Sequence, residues 1–457
     1  MLKKKAGSIA GLLSVSMILA VSAGCGSSSK DASANDGKTE VKIAWRFSGE
    51  NDITTKYLEN DFIPEFEKAN PNIKIKLSPI TASEGDYYSK IALSMQSENT
   101  TPDIIAEDTF MLNADANAGY LTDLDSYVKD WPEWSNYTEN LKAGAIAEDG
   151  KIYAIPGSSD SRGLWYNKNL FAKAGLPADW QPKSWQEVID AAEKIKETSP
   201  NAIPLGMTVA KASGEAVSMQ TFEMLLYGTE DTLYDSETKK WNVNSQGIMD
   251  SLKFIDEVYN EKKLAPSMSI AINSNFSSVM FQDKFVNDAA GIILDGFWNT
   301  SNWKENGPAP VANMTERFGF TAMPTENGQG AGKVTMSGGW TWAIPAKTKD
   351  KEAAWTVVKA LGGAEQQAKR AIADGNLTVR QDSAENAEYQ AQPFIKEATE
   401  FLNNAHFRPA NDNYPNVSVE IQNMVESVAT GSKTPEAAAE DFAKNVTRIV
   451  GEENITK

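Results

Sequence analysis

Cysteine and histidine are almost missing from this chain, with one of each in 457 residues. A single cysteine permits no internal disulfide and no Cys-rich zinc or iron–sulfur site. A single histidine excludes a multi-histidine zinc site and leaves His406 as the one candidate for a Ser-His-Asp arrangement. Alone beside Phe407, His406 reads as a packed or surface side chain. Positive charge is also short: 44 Lys+Arg stand against 62 Asp+Glu, for a net charge of −18. Such acidity opposes phosphate backbones, so nucleic acid is not an expected partner. There is no repeat at solenoid periods. Gly328-Gln329-Gly330-Ala331-Gly332-Lys333 has the glycines of a phosphate loop but continues with Val334 instead of Ser or Thr, and reads as a turn. Asp231, Asp235 and Glu237 lack EF-hand spacing. No metal and no cofactor is expected.

What is present begins at the N-terminus. Lys3, Lys4 and Lys5 precede an uncharged stretch, Ala6 to Ala23, carrying Leu12, Leu13, Ile18 and Leu19. A basic start and a short apolar core predict a secretory signal over residues 1–24. The glycines and serines among the apolar residues make a spanning helix the poorer reading. Val21-Ser22-Ala23-Gly24-Cys25 resembles a bacterial lipobox, with Ser22 where Leu is usual, and gives the lone cysteine a role as the lipidated residue. Residues 25–40, rich in Ser, Gly and Asp, predict a flexible tether. Loss of the three signal lysines takes the charge from −18 to −21. The expected location is the outer face of a bacterial membrane, held by lipid.

Size and mixed hydrophobicity (41% hydrophobic, 23% charged) suit more than one globular domain. Val41, Ile43, Trp45 and Phe47 alternate as in a half-buried strand. A helical spacing through Tyr57, Phe62 and Phe66 follows, ended by Asn70-Pro71-Asn72, and Ile73, Ile75 and Leu77 alternate again. Strand, helix, strand predicts an α/β fold with mostly parallel sheets. Ser184-Trp185-Gln186-Glu187 is a capping box opening a helix. Thr434-Pro435-Glu436 opens the last long helix.

Gly150-Lys151-Ile152-Tyr153-Ala154-Ile155-Pro156, then Leu164-Trp165-Tyr166-Asn167-Lys168 through Ala174-Gly175-Leu176, then Ser184-Trp185, closely resembles the central signature of the family 1 extracellular solute-binding proteins, the sugar-binding lipoproteins of ABC importers. Phe66-Glu67-Lys68-Ala69-Asn70-Pro71, Ala118-Gly119-Tyr120-Leu121-Thr122-Asp123-Leu124, Ser337-Gly338-Gly339-Trp340-Thr341-Trp342 and Thr434-Pro435-Glu436 match in the same order. The resemblance implies two α/β lobes that close on ligand about a hinge, here residues 41–155 plus 335–380 and residues 156–334 plus 381–457. It also makes Asp123-Leu124-Asp125 a helix entrance instead of a metal site.

Sugar rings need flat aromatic platforms and a rim of polar groups, in a cleft that excludes water. Asp295-Gly296-Phe297-Trp298 follows the apolar run Gly291 to Leu294, and strand ends are where α/β folds bind ligands. Trp298 is the first candidate platform, with Asp295 beside it. Trp340 follows Gly338-Gly339 and is read as ligand-facing, and Trp342 as core. The resemblance implies an acidic hydroxyl contact after the strand Asp103 to Ala106, here Asp108, and by the same logic Glu50 and Asn51 after the first strand, with Asp52 a helix cap and Asp108 equally one. Asp160 and Arg162 could fork onto sugar hydroxyls or pair with each other. Tyr414 and Arg408 are candidates through the resemblance.

With the resemblance, the expectation is a non-catalytic, monomeric binding protein for a carbohydrate, expected to be an oligosaccharide, that delivers it to ABC permease subunits. The alternatives are a secreted carbohydrate-active enzyme, or the same fold with a polyol or glycerol phosphodiester. Cys25→Ser should release the protein from the membrane fraction; retention of the variant there would point to a spanning anchor.

Overall fold

The computed structural model describes residues 37–456 except 48, 50 and 51. The signal segment, Cys25, nearly all of the tether, and the candidate contacts Glu50 and Asn51 lie outside the described residues. Among those described, no helix is long and apolar enough to cross a membrane.

Ten of the sixteen strands among the described residues position the site: β1 (Thr39–Ala44), β2 (Ile73–Leu77), β3 (Ile104–Asp108), β4 (Ala154–Pro156), β5 (Arg162–Asn167), β6 (Ile203–Gly206), β7 (Ala290–Gly296), β8 (Phe318–Thr321), β9 (Lys333–Met336) and β10 (Trp340–Ala343). A five-stranded sheet runs β2-β1-β3-β10-β4 and a four-stranded sheet β8-β5-β7-β6. The opening unit forms as its alternation predicts, with β1 parallel to β2 and to β3. The sheets are nonetheless mixed and not mostly parallel. Strand β10 returns antiparallel to both β3 and β4, and in the second sheet β5 is antiparallel to both β7 and β8, leaving β6–β7 the one parallel pair. A strand that enters a sheet late in the chain, from a crossing segment instead of a helix, is free to run either way.

Period-two alternation sends the side chains of each sheet to two layers. Val41, Ile43 and Trp342 pack with Phe62, Trp355 and Val358 on one face of the first sheet. Trp165, Ile293 and Phe318 pack with Phe285 and Trp303 on one face of the second. Ala44, Ile105, Leu164 and Ile292 face the opposite way, into a larger cluster with the helices Trp185–Thr198, Gln246–Asp256 and Tyr414–Ala429.

Caps form where the sequence places them. Asp52 accepts from Thr55 N at the start of the helix Ile53–Tyr57 and also from Trp45 Nε1 (2.9 Å), and Trp45 ends the alternation expected through Phe47. Ser184 accepts from Glu187 N. The Glu187 carboxylate reaches back one residue further than in the standard box, accepting from Lys183 N (2.9 Å) instead of Ser184 N.

Three segments meet between the two sheets. Ser159 and Leu377 exchange both backbone hydrogen bonds at 2.8 Å, Gly157 N donates to Trp340 O (2.8 Å), and the Ser159 and Ser337 hydroxyls lie 3.1 Å apart. Gly339 sits at φ 144°, and a Cβ there would fall 2.0 Å from the Ser158 carbonyl oxygen. No side chain fits both constraints. Gly339→Ala should lower stability by more than about 1 kcal/mol, read as a fall in the thermal midpoint; an unchanged midpoint would show that the crossing can relax.

Candidate functional site

The antiparallel register of β3 and β10 sets Asp108, the last residue of one, opposite Trp340, the first residue of the other. In the second sheet the start of β5 lies against the end of β7, with Arg162 opposite Gly296, two residues before Trp298. Strand ends from both sheets thus converge on a cleft of two cavities, about 470 and 210 Å³ in volume. Trp298, Trp340, Arg46 and Asn376 line both.

Each tryptophan has one flank filled. The Arg162 guanidinium lies over the Trp298 ring at 4.9 Å from its centroid. Gly296 makes room for that ring, since a Cβ would sit 2.0 Å from it. Trp340 is backed by Tyr88, nearly parallel at 18° and 6.4 Å, and meets Tyr87 edge-on. Both tryptophans remain partly exposed, whereas Trp342 is fully buried as core.

The charged groups of the smaller cavity are tied to one another. Arg162 Nη1 donates to Asp160 Oδ1 (2.5 Å) and to Met336 O (3.1 Å), and Asp160 Oδ1 also accepts from Gly338 N (2.9 Å). Asp160 and Arg162 therefore brace the crossing strands while lining the cavity, the pairing alternative of the sequence reading. Arg408 Nη2 donates to Asp108 Oδ1 (2.6 Å) and Thr109 Oγ1 (2.9 Å), with its plane over Phe110 at 4.7 Å. Asp108 Oδ2 accepts from the Tyr88 hydroxyl (3.2 Å). Its contact with Phe110 N is long at 3.4 Å, so Asp108 acts as an ion-pair partner more than as a cap.

Two candidates are not on the cavity walls. Asp295 is 1% exposed and accepts from Gly296 N (2.6 Å) and the Ser277 hydroxyl (3.1 Å), and burial raises its carboxyl to about 6. It supports the turn that presents Trp298. Tyr414 is fully buried, its hydroxyl 2.5 Å from Glu215 Oε1 and 2.9 Å from Glu223 Oε1. Strand-end position alone cannot say which way an alternating side chain points, and Asp295 points inward. Tyr414 opens a helix whose N-terminal turn packs into the core instead of facing the cleft. His406 is exposed and stacks on Tyr227 at 4.8 Å.

The structure adds residues that the sequence did not reveal. Glu215 and Gln220 line the smaller cavity, and Arg370, Asp374 and Asn302 the larger. Arg370 Nε donates to Asp374 Oδ2 (3.2 Å) one helical turn on, an i,i+4 pair that could have been read from the sequence. Glu215 sits in no motif. Burial lifts it to about 7, opposed by the Arg408 charge, and lifts Glu223 to about 8, reinforced by Glu215.

Residues 51–368 match the model of the bacterial extracellular solute-binding protein family. A putative binding protein of Brucella abortus (strain 2308) is 24% identical over 453 residues, covering 98% of each chain. Among solved structures, an ABC transporter solute-binding protein of Thermotoga lettingae TMO bound with α-D-tagatose superposes with a TM-score of 0.78, at 24% identity, over 91% of this chain and all of that one. Maltose-bound T. maritima MalE3 superposes with a TM-score of 0.77, at 22% identity, over 90% of this chain and all of that one. At these identities the two structures speak to the fold alone. The family match spans well over half of the sequence and agrees with two mixed sheets whose strand ends meet at one cleft: the chain belongs to the bacterial extracellular solute-binding proteins, a family that binds and does not catalyse.

Proposed function

We propose that this protein is the lipid-anchored, extracytoplasmic substrate-binding component of an ABC importer, capturing an uncharged sugar or polyol between two lobes and handing it to membrane permease subunits. The lobes are residues 41–155 plus 335–380 and residues 156–334 plus 381–457, and the crossings near Ser159, Gly339 and Leu377 are the hinge. One observation carries the reading: Trp298 from the second sheet and Trp340 from the first line both cavities, each with one flank already filled. A ring platform on each wall is what the C–H face of a sugar requires. The tagatose and maltose bound by structurally similar proteins support this class of ligand.

The choice of an uncharged ligand rests on electrostatics. The two buried guanidiniums of the smaller cavity are answered by Asp160 and Asp108, so recruiting them for phosphate would break ion pairs inside a desolvated site. Hydroxyl groups, by contrast, can share such pairs, donating to carboxylates and accepting from guanidiniums. A ligand touching both walls favours the closed arrangement by its differential contacts, and that arrangement is the one a permease would read.

A thermal-shift screen of maltose, maltotriose, tagatose, ribitol and glycerol 3-phosphate should raise the midpoint for a sugar or polyol and leave it unmoved for the phosphate. Stabilisation by the phosphate alone would overturn the neutral-ligand reading. Ligand should also change tryptophan fluorescence, and Trp298→Ala or Trp340→Ala should each weaken binding by roughly 1–3 kcal/mol, as at other aromatic stacking sites. Wild-type affinity in both variants would remove the platforms from the site.

A further inference from the structure

A buried acidic pair stands at the wall of the smaller cavity, with Glu215 lining it and Glu223 not. Glu215 and Glu223 flank the Tyr414 hydroxyl, and all three are buried. A phenol has one hydrogen to give. At 2.5 Å from Glu215 Oε1 and 2.9 Å from Glu223 Oε1, Tyr414 can donate to just one of the two. The other contact then needs a hydrogen from the carboxyl itself, or two lone pairs face each other where water does not enter.

The surroundings decide which carboxyl holds it. Glu215 accepts from the Ser418 hydroxyl, which in turn accepts from Gln422 Nε2 (3.0 Å), and lies 3.6 Å from Arg408 Nη1. Those are the partners of an anion. Glu223 has no comparable donor, and its Oε2 is buried without any hydrogen-bond partner. The other charged and titratable groups around it, Arg408, Arg162 and Tyr227, act on it at a distance. We infer that Glu223 carries a proton in the folded protein and, by donating to Tyr414, holds Glu215 as a charged and oriented acceptor on the wall of the smaller cavity. Glu223 is then a positioning residue for the solute, one shell removed from it. This role rests on the proposed binding function, but the protonation does not.

The direction of the pH effect follows. Glu215, opposed by the Arg408 charge, is pushed up only to about 7 and so loses its proton before Glu223, which burial takes from an ordinary 4.5 to about 8. The folded state holds the extra proton between those values, so stability falls as pH rises from about 5 to 8. Above that range an ionised Glu223 competes for the Tyr414 hydrogen and repels Glu215. Affinity should then fall, by at most about tenfold per pH unit for one linked proton.

Two measurements test this on the full chain. At neutral pH the infrared carbonyl stretch of a protonated carboxyl should be present in the wild type, lose intensity in Glu223→Gln, and disappear in part as the wild type is taken above pH 8. Identical wild-type and E223Q spectra would falsify the protonation, whatever the protein binds. Titration calorimetry from pH 7.5 to 9.5, with the member of the sugar panel that stabilises the fold, should show affinity falling with pH in the wild type and a flatter profile in E223Q. Tyr414→Phe, which removes the shared hydroxyl, should weaken binding several-fold at neutral pH. A pH profile common to wild type and E223Q, or a Y414F of undiminished affinity, would overturn the positioning role. If no member of the panel binds, the proposed function fails and the infrared result still decides the proton.

Discussion

A guanidinium taken out of water must be answered on every side, and Arg408 is the clearest case in this fold. It is almost wholly buried, lies over Phe110, donates to Asp108 and Thr109 at the end of the first sheet's central strand, and approaches Glu215 from the opposite direction. Desolvating such a group is repaid only by close, well-oriented partners, and removing any one leaves an uncompensated charge. The constraint therefore fixes three separate pieces of chain together: the β3 end, the turn at Glu215 and the segment leading to Tyr414. It also fixes what faces the cleft. Asp108 is turned toward Arg408 and Tyr88, so Trp340, opposite it in the sheet, keeps a backing of aromatic rings instead of water.

The same logic repeats on the other wall with different parts. Arg162 pairs with Asp160, which also holds the Gly338 amide, so an ion pair grips the backbone of a crossing strand. The flat face of the guanidinium then supports Trp298. One platform is thus carried by a charged group whose charge is already satisfied, and the other by the Tyr88 ring, whose hydroxyl donates to Asp108. Aromatic rings held in this way lose little freedom when a ligand arrives, which favours binding without new contacts having to be created.

Much of this could be read from the sequence where the signal is local. The alternation in β1 and β2, the caps at Asp52 and Ser184, the turn before β9 and the placing of Trp342 in the core all follow from period, capping chemistry and glycine spacing. Trp298 and Trp340 could be singled out as aromatic residues following glycine at strand ends, and the structure sets both on the cavity walls. What escaped depends on residues far apart in the chain. The orientation of β10 is set by a crossing at Gly339, so the expected parallel sheets are mixed. Asp295 turns inward because β7 is buried on both faces along its whole length, leaving no solvent-facing phase to read. Tyr414 matched a motif but serves Glu215 and Glu223, some 190 to 200 residues earlier, a relation that no short window contains.

The arrangement also separates two properties that composition alone confuses. The chain is strongly acidic, yet the smaller cavity sets Asp108, Asp160 and Glu215 against Arg46, Arg162 and Arg408, a balance of three to three. The chain's net acidity is therefore not carried by this cavity and gives no instruction for its ligand. If an acidic surface alone selected the solute, a cation would be favoured; in a cleft whose charges already answer one another, each added unit of ligand charge must break a pair. Hydroxyl-bearing, uncharged ligands avoid that cost because they can enter between donor and acceptor without separating them. Selection then falls to shape, to the reach between Trp298 and Trp340, and to the fixed orientation of acceptors such as Glu215.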